Sequence, residues 1–144
     1  MMREWVNQVI ETVSGWDGIS AAPHRFGGVE FSLGNVEVGH VHLNNGMVDI
    51  PYTVKLREAL VASGAAGLHH LLRDSGWITF YIRTAEDAAH AARLYRLSYL
   101  QKRARRDKSL TPESYAAQID ALGFAPPVRA AMPAPREVAS TPDA

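Results

Sequence analysis

Apolar residues follow two different periods in the first third of the chain. In residues 2–14, valine and isoleucine recur three and four positions apart, which predicts an amphipathic helix that ends at Gly15. The apolar period then changes to two, and glycines and asparagines separate the alternating stretches. This second pattern predicts four strands, at residues 19–25, 28–33, 36–43 and 47–51.

Helix and strand signals alternate in the rest of the chain. A short helix is predicted in TVKLREALVASG, with Thr53 as its N-cap, and GWITFYIR predicts the last strand. Thr84 then caps a predicted helix in TAEDAAHAARLYRLSYL, whose first turn holds acidic residues that a helix dipole favours. A final short helix is predicted in TPESYAAQIDALG, with Pro112 at its first position.

The predicted elements divide the chain into three parts. Residues 1–101 form an α+β domain, and residues 102–124 hold a basic run and the short C-terminal helix. Residues 125–144 are rich in proline and alanine, and we expect them to be disordered because little in them could pack. For the domain we predict two layers, a mainly antiparallel sheet with helices packed on one face and a histidine-rich pocket on the other.

Strand alternation predicts which residues share the pocket face. Successive side chains of a strand point to opposite faces, so the apolar positions of each strand must face the helices. The opposite face then collects polar and aromatic residues, namely Glu30, His40, His42, Asp49, Trp77, Thr79 and Tyr81. Large aromatic side chains are rarely left in water, so Trp77 and Tyr81 favour the wall of a small-molecule pocket or a buried interface.

The hairpin within VEVGHVHLNNGMVDIP is predicted to bring two of these groups into contact. With Asn45-Gly46 as a two-residue type I′ turn, His42 lies directly opposite Asp49. Directly opposed residues have Cβ atoms about 4.5–5.5 Å apart. A carboxylate at that distance orients an imidazole and raises its basicity, which suits a general base or a metal ligand. The alternative is an ordinary pair on a solvated sheet face.

Two adjacent histidines, His69 and His70, lie in the glycine-bounded loop before the last strand. A loop next to a polar sheet face is a natural lid over a pocket. If it folds over the sheet, one of its histidines could join His40 and His42 as a third imidazole. Three histidines with Asp49 could hold iron, zinc or copper. The alternative is that one loop histidine packs locally while the other is solvated.

Composition excludes several other classes of function. The chain has 144 residues, 47% of them hydrophobic, a formal net charge of +0 and no cysteine. One soluble domain is expected, without disulfides or sulfur-ligated metal, and without the charge that nucleic acids or anionic membranes attract. The sequence predicts neither a signal peptide nor a membrane span, so we expect a cytoplasmic protein. The basic run from Lys102 to Lys108 could bind acidic partners, although most such runs are solvated helix ends.

Over about residues 24–101 the chain resembles the fungal-luciferase-like domain family. The likeness is carried, in order, by HRFGGVEFSLG, EVGHVH, VDIP, LREALVASGAAGLHH and SGWITFYIRTAEDAAHAARLYRLSYL. Its most specific parts are EVGHVH and the aromatic strand that leads into an acidic helix start. The characterised members of the family are the luciferases of glowing mushrooms, and many bacterial members are uncharacterised.

The resemblance implies a reaction and a set of residues. Glu37, His40 and His42 match a Glu-hydrophobic-small-His-hydrophobic-His motif of the fungal enzymes. His70 matches a single histidine there, and Trp77 matches a tryptophan. The fungal enzymes add O₂ to 3-hydroxyhispidin, a styryl-pyrone with an acidic enol, without a known organic cofactor, and the peroxide formed loses CO₂ with light emission. The likeness implies an oxygenase-type reaction, but not light emission or the fungal substrate, since those enzymes are longer and have a histidine near the position of Asp49.

These observations give a working hypothesis of a small-molecule oxygenase that acts with O₂ on an enolic or aromatic substrate. The catalytic residues are predicted to be His40, His42, His70 and Asp49, the substrate contacts Trp77, Tyr81, Glu30 and His69, and the ligands of any metal His40, His42 and His70. By strict alternation Glu37 points to the apolar face, so it either lies at the strand start or plays a structural role such as pairing with an arginine.

Non-catalytic functions could use the same histidine-rich face of the sheet. The protein could be a non-catalytic module that binds a small molecule or a metal, or a domain that buries this face against a second copy as a homodimer. A concave pocket with converging imidazoles favours the enzyme, whereas a flat apolar and aromatic face favours an interface. The remaining histidines receive no role, although His24 could line the pocket edge and His90 falls within a predicted helix.

Overall fold

A computed structural model of the chain describes residues 1–24 and 27–135. Within them the chain forms five α-helices and six β-strands. The helices are α1 (Met2–Ser14), α2 (Val54–Ala62), α3 (Ala85–Arg106), α4 (Pro112–Leu122) and α5 (Pro126–Ala131). The strands are β1 (Ile19–His24), β2 (Gly28–Leu33), β3 (Val36–His42), β4 (Met47–Pro51), β5 (Gly67–Leu68) and β6 (Trp77–Tyr81).

The six strands make one antiparallel sheet in the order β1-β2-β3-β4-β6-β5. Most of the apolar positions that alternation assigned to one face pack into the core, and Phe31, Val41, Val48, Ile50 and Ile78 are fully buried there. The α+β fold class with helices on the sheet is therefore confirmed. The short strand β5, which the sequence did not predict, pairs with the outer side of β6.

Helix α3 fixes the backbone of the central strand β3. The helix begins at the capping box of Thr84 and Asp87, as the sequence predicts. Further along, the Tyr95 hydroxyl donates to the carbonyl of His40 at 2.8 Å, and the Ser98 hydroxyl donates to the carbonyl of Val38 at 2.8 Å. Both donors are buried, so these bonds tie β3 to α3 and leave no unpaired hydroxyl at either residue.

The hairpin register differs from the predicted one. His40, and not His42, lies directly opposite Asp49. The turn has four residues instead of two, because the Asn45 side chain accepts the amide N–H of Met47 at 3.0 Å. Gly46 closes the loop, with its N–H donating to the carbonyl of His42 and its φ at 73°. A shift of two residues keeps every side chain on its predicted face, so both histidines still face the carboxylate.

A β-bulge in β3 changes the face of Glu37. Phe31 pairs with Gly39 and Ser32 pairs with Glu37, which leaves Val38 as an extra residue on β3. Val38 is fully buried on the helix side, and the extra residue reverses the alternation that precedes it. The expectation that Glu37 points to the apolar face is wrong for this reason: its carboxylate lies beside His40.

The C-terminal part is ordered further than the sequence predicts. Helix α3 continues through the predicted boundary at residue 101 to Arg106, and the first half of the basic run forms its last turns. The predicted disorder of residues 125–144 is wrong for 125–135. Prolines begin helix α5 there, the helix packs against α2, and its Val128 is fully buried in the core. Residues 136–144 lie outside the described part. Among the described helices, none combines the length and apolar character that crossing a bilayer requires.

Candidate active site around Asp49

The carboxylate of Asp49 lies at the centre of the sheet face that the helices leave open. Asp49 is in the middle of β4 and is only 1% exposed. Its Oδ2 lies 3.2 Å from Nε2 of His42 and 3.3 Å from Nε2 of His40. Its Oδ1 accepts a hydrogen bond of 2.8 Å from the hydroxyl of Thr79, the opposing residue on β6. Three adjacent strands therefore supply groups to one buried anion.

His40 lies between two carboxylates. Its Nδ1 contacts Oε2 of Glu37 at 2.6 Å, while its Nε2 faces Asp49. Burial alone would lower the pKa of this imidazole, but the bonds to Asp49 and Glu37 outweigh it and raise the pKa to about 9. Burial likewise disfavours the charged form of Asp49, but the bonds from His40 and Thr79 lower its pKa to about 2. His40 and Asp49 are therefore an ion pair at neutral pH.

The loop before β6 folds over the face and adds two imidazoles, as the lid hypothesis predicts. The Nδ1 of His69 accepts the amide N–H groups of Leu71 and Leu72 at 3.1 and 3.0 Å. Burial lowers the pKa of His69 despite the nearby Asp49, so its ring is neutral and carries its proton on Nε2, which faces Asp49 Oδ1 at 3.6 Å. The two amide bonds to His69 thus hold the loop closed beside the central carboxylate.

His70 has the opposite tautomer and the most accessible ring of the histidines that contact Asp49. Because the hydroxyl of Thr79 gives its proton to Asp49, its oxygen accepts both the amide N–H of His70 and its Nδ1–H, at 3.3 and 3.4 Å. The network therefore assigns the proton to Nδ1 and leaves the lone pair on Nε2. The His70 side chain is 37% exposed. A ring oriented through one nitrogen, with a basic second nitrogen that solvent reaches, is the arrangement of a general base.

His24 joins the site from β1, although the sequence analysis gave it no firm role. Its ring stacks on that of His40, with centroids 4.1 Å apart and an interplanar angle of 15°. Burial and then the charge on His40 lower the pKa of His24. The neighbouring position Gly28 has no room for a side chain, because a Cβ there would lie 2.4 Å from the carbonyl oxygen of Val41. The signal in the sequence was the PH-x-x-GG stretch, in which a histidine precedes glycines at a strand junction.

We call these eight residues the Asp49 cluster: His24, Glu37, His40, His42, Asp49, His69, His70 and Thr79. The remaining predicted site residues lie around it at different distances. Trp77 contacts the rings of His40 and His69, with centroids 5.6 and 5.8 Å away. Glu30 lies opposite His40 on β2 and 4.0 Å from Nε2 of His24. Tyr81 lies apart, because its hydroxyl donates to the sulfur of Met47 and its ring packs under Arg83.

Residues 35–98 match the Luciferase domain family. The match confirms the resemblance that the sequence predicted, and the matched range includes every member of the Asp49 cluster except His24. No curated protein and no solved structure matches the chain.

The donor atoms of the Asp49 cluster form two candidate metal sites that share Asp49. One consists of His40, His42 and Asp49, and the other of Asp49, His69 and His70. The predicted ligand set, in which His70 joins His40 and His42, does not come together, because His70 approaches Asp49 from the other side. Two imidazoles and one carboxylate are the donor set of non-haem iron oxygenases.

Only the first of these two donor groups suits a metal. Ligand atoms at about 2.0–2.1 Å from a tetrahedral ion lie roughly 3.3 Å from one another, and the separations from Asp49 to His40 and His42 are 3.3 and 3.2 Å. Glu37 holds the other nitrogen of His40, as carboxylates do beside metal-bound histidines. In the second group, two amides occupy Nδ1 of His69, and the separations from Asp49 to His69 and His70 are longer, at 3.6 and 3.7 Å.

The stability of the metal-free protein should depend on pH through the His40–Asp49 pair. The pKa of His40 is raised from 6.5 to about 9, so its contribution is complete below 6.5 and is lost as the pH rises through 9. The pKa of Asp49 is lowered from 3.8 to about 2, so its contribution is complete above 3.8 and is lost as the pH falls through 2. We expect the free energy of unfolding to fall by about 2–3 kcal/mol between about pH 6 and pH 10.

Urea unfolding of chelator-treated protein checks this dependence, with His40→Gln as the comparison. The variant lacks the titrating group, so its stability should change much less over the alkaline range. An equal alkaline loss in the variant would show that other groups cause it. The shifts of the two partners describe one shared interaction, so their contributions are not added.

Proposed function

We propose that this protein is an oxygenase that uses O₂ to oxidise a small enolic molecule at the Asp49 cluster. The observation that supports the proposal is the convergence of four imidazoles on one carboxylate that is 1% exposed. Five of the six histidines of the chain belong to this cluster. Burying charged groups carries a desolvation cost that an apolar sheet face would avoid, and strongly shifted pKa values of this kind are typical of functional sites.

We propose His70 as the base that removes the enol proton. Its Nδ1–H is held by Thr79, which is itself bonded to Asp49, so the ring is oriented and its Nε2 can accept a proton. Deprotonation turns the enol into an electron-rich enolate, the form that reacts with O₂. The Nδ1 of His70 lies 3.7 Å from Oδ1 of Asp49, so the positive charge that the ring gains when it takes the proton lies beside a carboxylate.

We propose His40, His42 and Asp49 as ligands of a divalent transition metal, with iron favoured by the donor set. The metal would supply a positive centre for binding the enolate and for activating O₂. Glu37 keeps Nδ1 of His40 protonated, so that Nε2 is the nitrogen left for coordination. Trp77 forms one wall beside the site, since its ring contacts those of His40 and His69, and the closed loop limits the access of water.

The test combines metal analysis with O₂ uptake on purified protein reconstituted with ferrous iron without air. We expect about one iron per chain in the wild type and less than about a tenth of that in His40→Ala/His42→Ala. With hydroxypyrones and enolised arylpyruvates as substrates, O₂ uptake should be lost in that double variant. His70→Gln should keep its iron and lose about 10²–10⁴-fold in kcat.

His90→Gln is the matched control, because His90 is the one histidine outside the cluster and bonds to the carbonyl of Ala65. It should retain both iron and O₂ uptake. Substrate-dependent O₂ uptake without metal would contradict the metal assignment. The protonated His40 would then be the group that stabilises the substrate enolate. Substrate binding without any O₂ uptake would contradict the oxygenase and identify a binding module.

A further inference from the structure

A cleft of about 390 Å³ opens beside the Asp49 cluster, where β3 begins and where β4 ends opposite the start of β6. The last two turns of α3 extend past this end of the sheet and form the opposite side of the cleft. The residues that matter for its chemistry are Glu37, Tyr52, Trp77, Lys102, Arg105 and Arg106. Its volume lies within the range of roughly 300–1,000 Å³ typical of small-molecule sites.

The helix side of the cleft carries three basic side chains. Lys102, Arg105 and Arg106 are spaced three and four positions apart, so they share one face of α3. Among the residues that the structure describes, no carboxylate forms an ion pair with any of them. The cleft therefore carries more basic than acidic side chains, and Glu37, its acidic residue, is bonded to His40.

Lys102 shows that this charge is not simply that of a solvated helix end. Its Nζ is half-buried and donates only to neutral oxygens, those of Pro51, Ser98 and Gln101. Burial and then the neighbouring Arg106 lower the pKa of Lys102 to about 7. Arg103, in the same basic run, instead pairs with Asp107 at 2.7 Å. Arg103, which does not line the cleft, is thus paired with a carboxylate. The described residues give no such partner to the three basic side chains that line the cleft.

The sheet side of the cleft is aromatic and leads to the cluster. Trp77 lines the cleft and also contacts the rings of His40 and His69, and Tyr52 lies under the Lys102 ammonium, 5.8 Å from Nζ to the ring centroid. A flat molecule that packs against Trp77 would have cations at one end and the Asp49 cluster at the other. Flat aromatic rings suit such a wall, and a carboxylate suits paired guanidinium groups.

We infer that this cleft binds a flat aromatic carboxylic acid, with the carboxylate held by Lys102, Arg105 and Arg106 and the ring packed on Trp77. The inference rests on the proposed function only in calling that acid the substrate. A substrate of this class carries an aromatic ring, an anionic group and, beyond the ring, the enol that the cluster oxidises. The basic run that the sequence predicted as a helix end thereby has a specific role in recognition.

The test is calorimetric titration of the full-length protein with cinnamate and with its neutral isostere cinnamamide, without O₂. We expect cinnamate to bind more tightly than cinnamamide, and its dissociation constant to rise about five- to tenfold in Arg105→Gln and in Arg106→Gln. Lys108→Gln removes the same charge from an exposed position outside the cleft and should change the constant less than about twofold. Trp77→Leu should weaken both ligands.

Three results would overturn the inference. They are equal affinity for cinnamate and cinnamamide, a Lys108→Gln effect as large as that of Arg105→Gln, and tighter binding of inorganic phosphate than of cinnamate. The titration involves neither O₂ nor turnover, so it is independent of the proposed oxidation. Cinnamate binding without O₂ uptake on any enolic substrate would contradict only the oxygenase, and O₂ uptake without cinnamate binding would contradict only this cleft.

Discussion

Replacing Asp49 by asparagine is expected to abolish O₂ uptake and to lower the free energy of unfolding by about 2–4 kcal/mol near neutral pH. The carboxylate accepts hydrogen bonds from Thr79 and faces N–H groups of His40, His42 and His69. An asparagine NH₂ cannot accept from them, so it would oppose donors with a donor in a site that water hardly reaches. The charged His40 would also lose one of its two partners.

Urea unfolding of chelator-treated protein measures the stability of Asp49→Asn, and iron content with O₂ uptake measures its function. Asp74→Asn is the matched control, since Asp74 is exposed in the loop before β6 and has no part in the cluster. The control should stay within about 0.5 kcal/mol of the wild type. If Asp49→Asn were equally stable and kept its iron, the carboxylate would be neither the hub of the network nor a ligand.

Gly39→Ala is expected to destabilise the fold by about 2–4 kcal/mol and to reduce O₂ uptake strongly. Gly39 follows the extra residue of the β3 bulge and has φ at 154°, which side-chain-bearing residues rarely adopt. A Cβ there would lie 2.7 Å from the Tyr95 ring and 3.1 Å from the carbonyl oxygen of Asp49. Relieving these contacts would shift β3 and separate Glu37 from His40.

Gly64→Ala separates the backbone effect from the steric one. Gly64 also has a positive φ, 80°, but a Cβ there would meet nothing within 4 Å. The Gly64→Ala variant should lose only about 1 kcal/mol of its free energy of unfolding, because alanine disfavours a positive φ, and it should keep its activity. Equal losses in the two variants would show that the bulge tolerates a side chain and that its geometry does not position Glu37.

The polar face of the sheet could be predicted because its evidence is local. The period of two in each strand, together with the buried apolar positions, determines which side chains face away from the helices, and an even shift of register does not change that. This is why His40, His42 and Asp49 came together although the predicted hairpin turn was wrong. The EVGHVH stretch also supported the family resemblance, which the match over residues 35–98 confirms.

The partners within that face could not be predicted, because they depend on single extra residues and distant segments. The four-residue turn placed His40 opposite Asp49, and the bulge at Val38 brought Glu37 to the same side. His24 reaches His40 only because β1 lies beside β2, and the hydrophobic pattern of its own strand does not specify that contact. Neither the longer turn nor the bulge changes the hydrophobic pattern, so neither leaves a signal in it.

The sequence by itself determined the fold class, the polar face with its histidines, and the family likeness, because strand alternation, helix capping and motif order act over a few residues at a time. Only the tertiary structure decided the electrostatics. It enclosed Asp49 among four imidazoles, made an ion pair of it with His40, and set Lys102, Arg105 and Arg106 along a cleft beside Trp77. Charge and pKa depend on burial and on distances between segments far apart in the chain, and these exist only after the sheet, the loop and α3 have packed together.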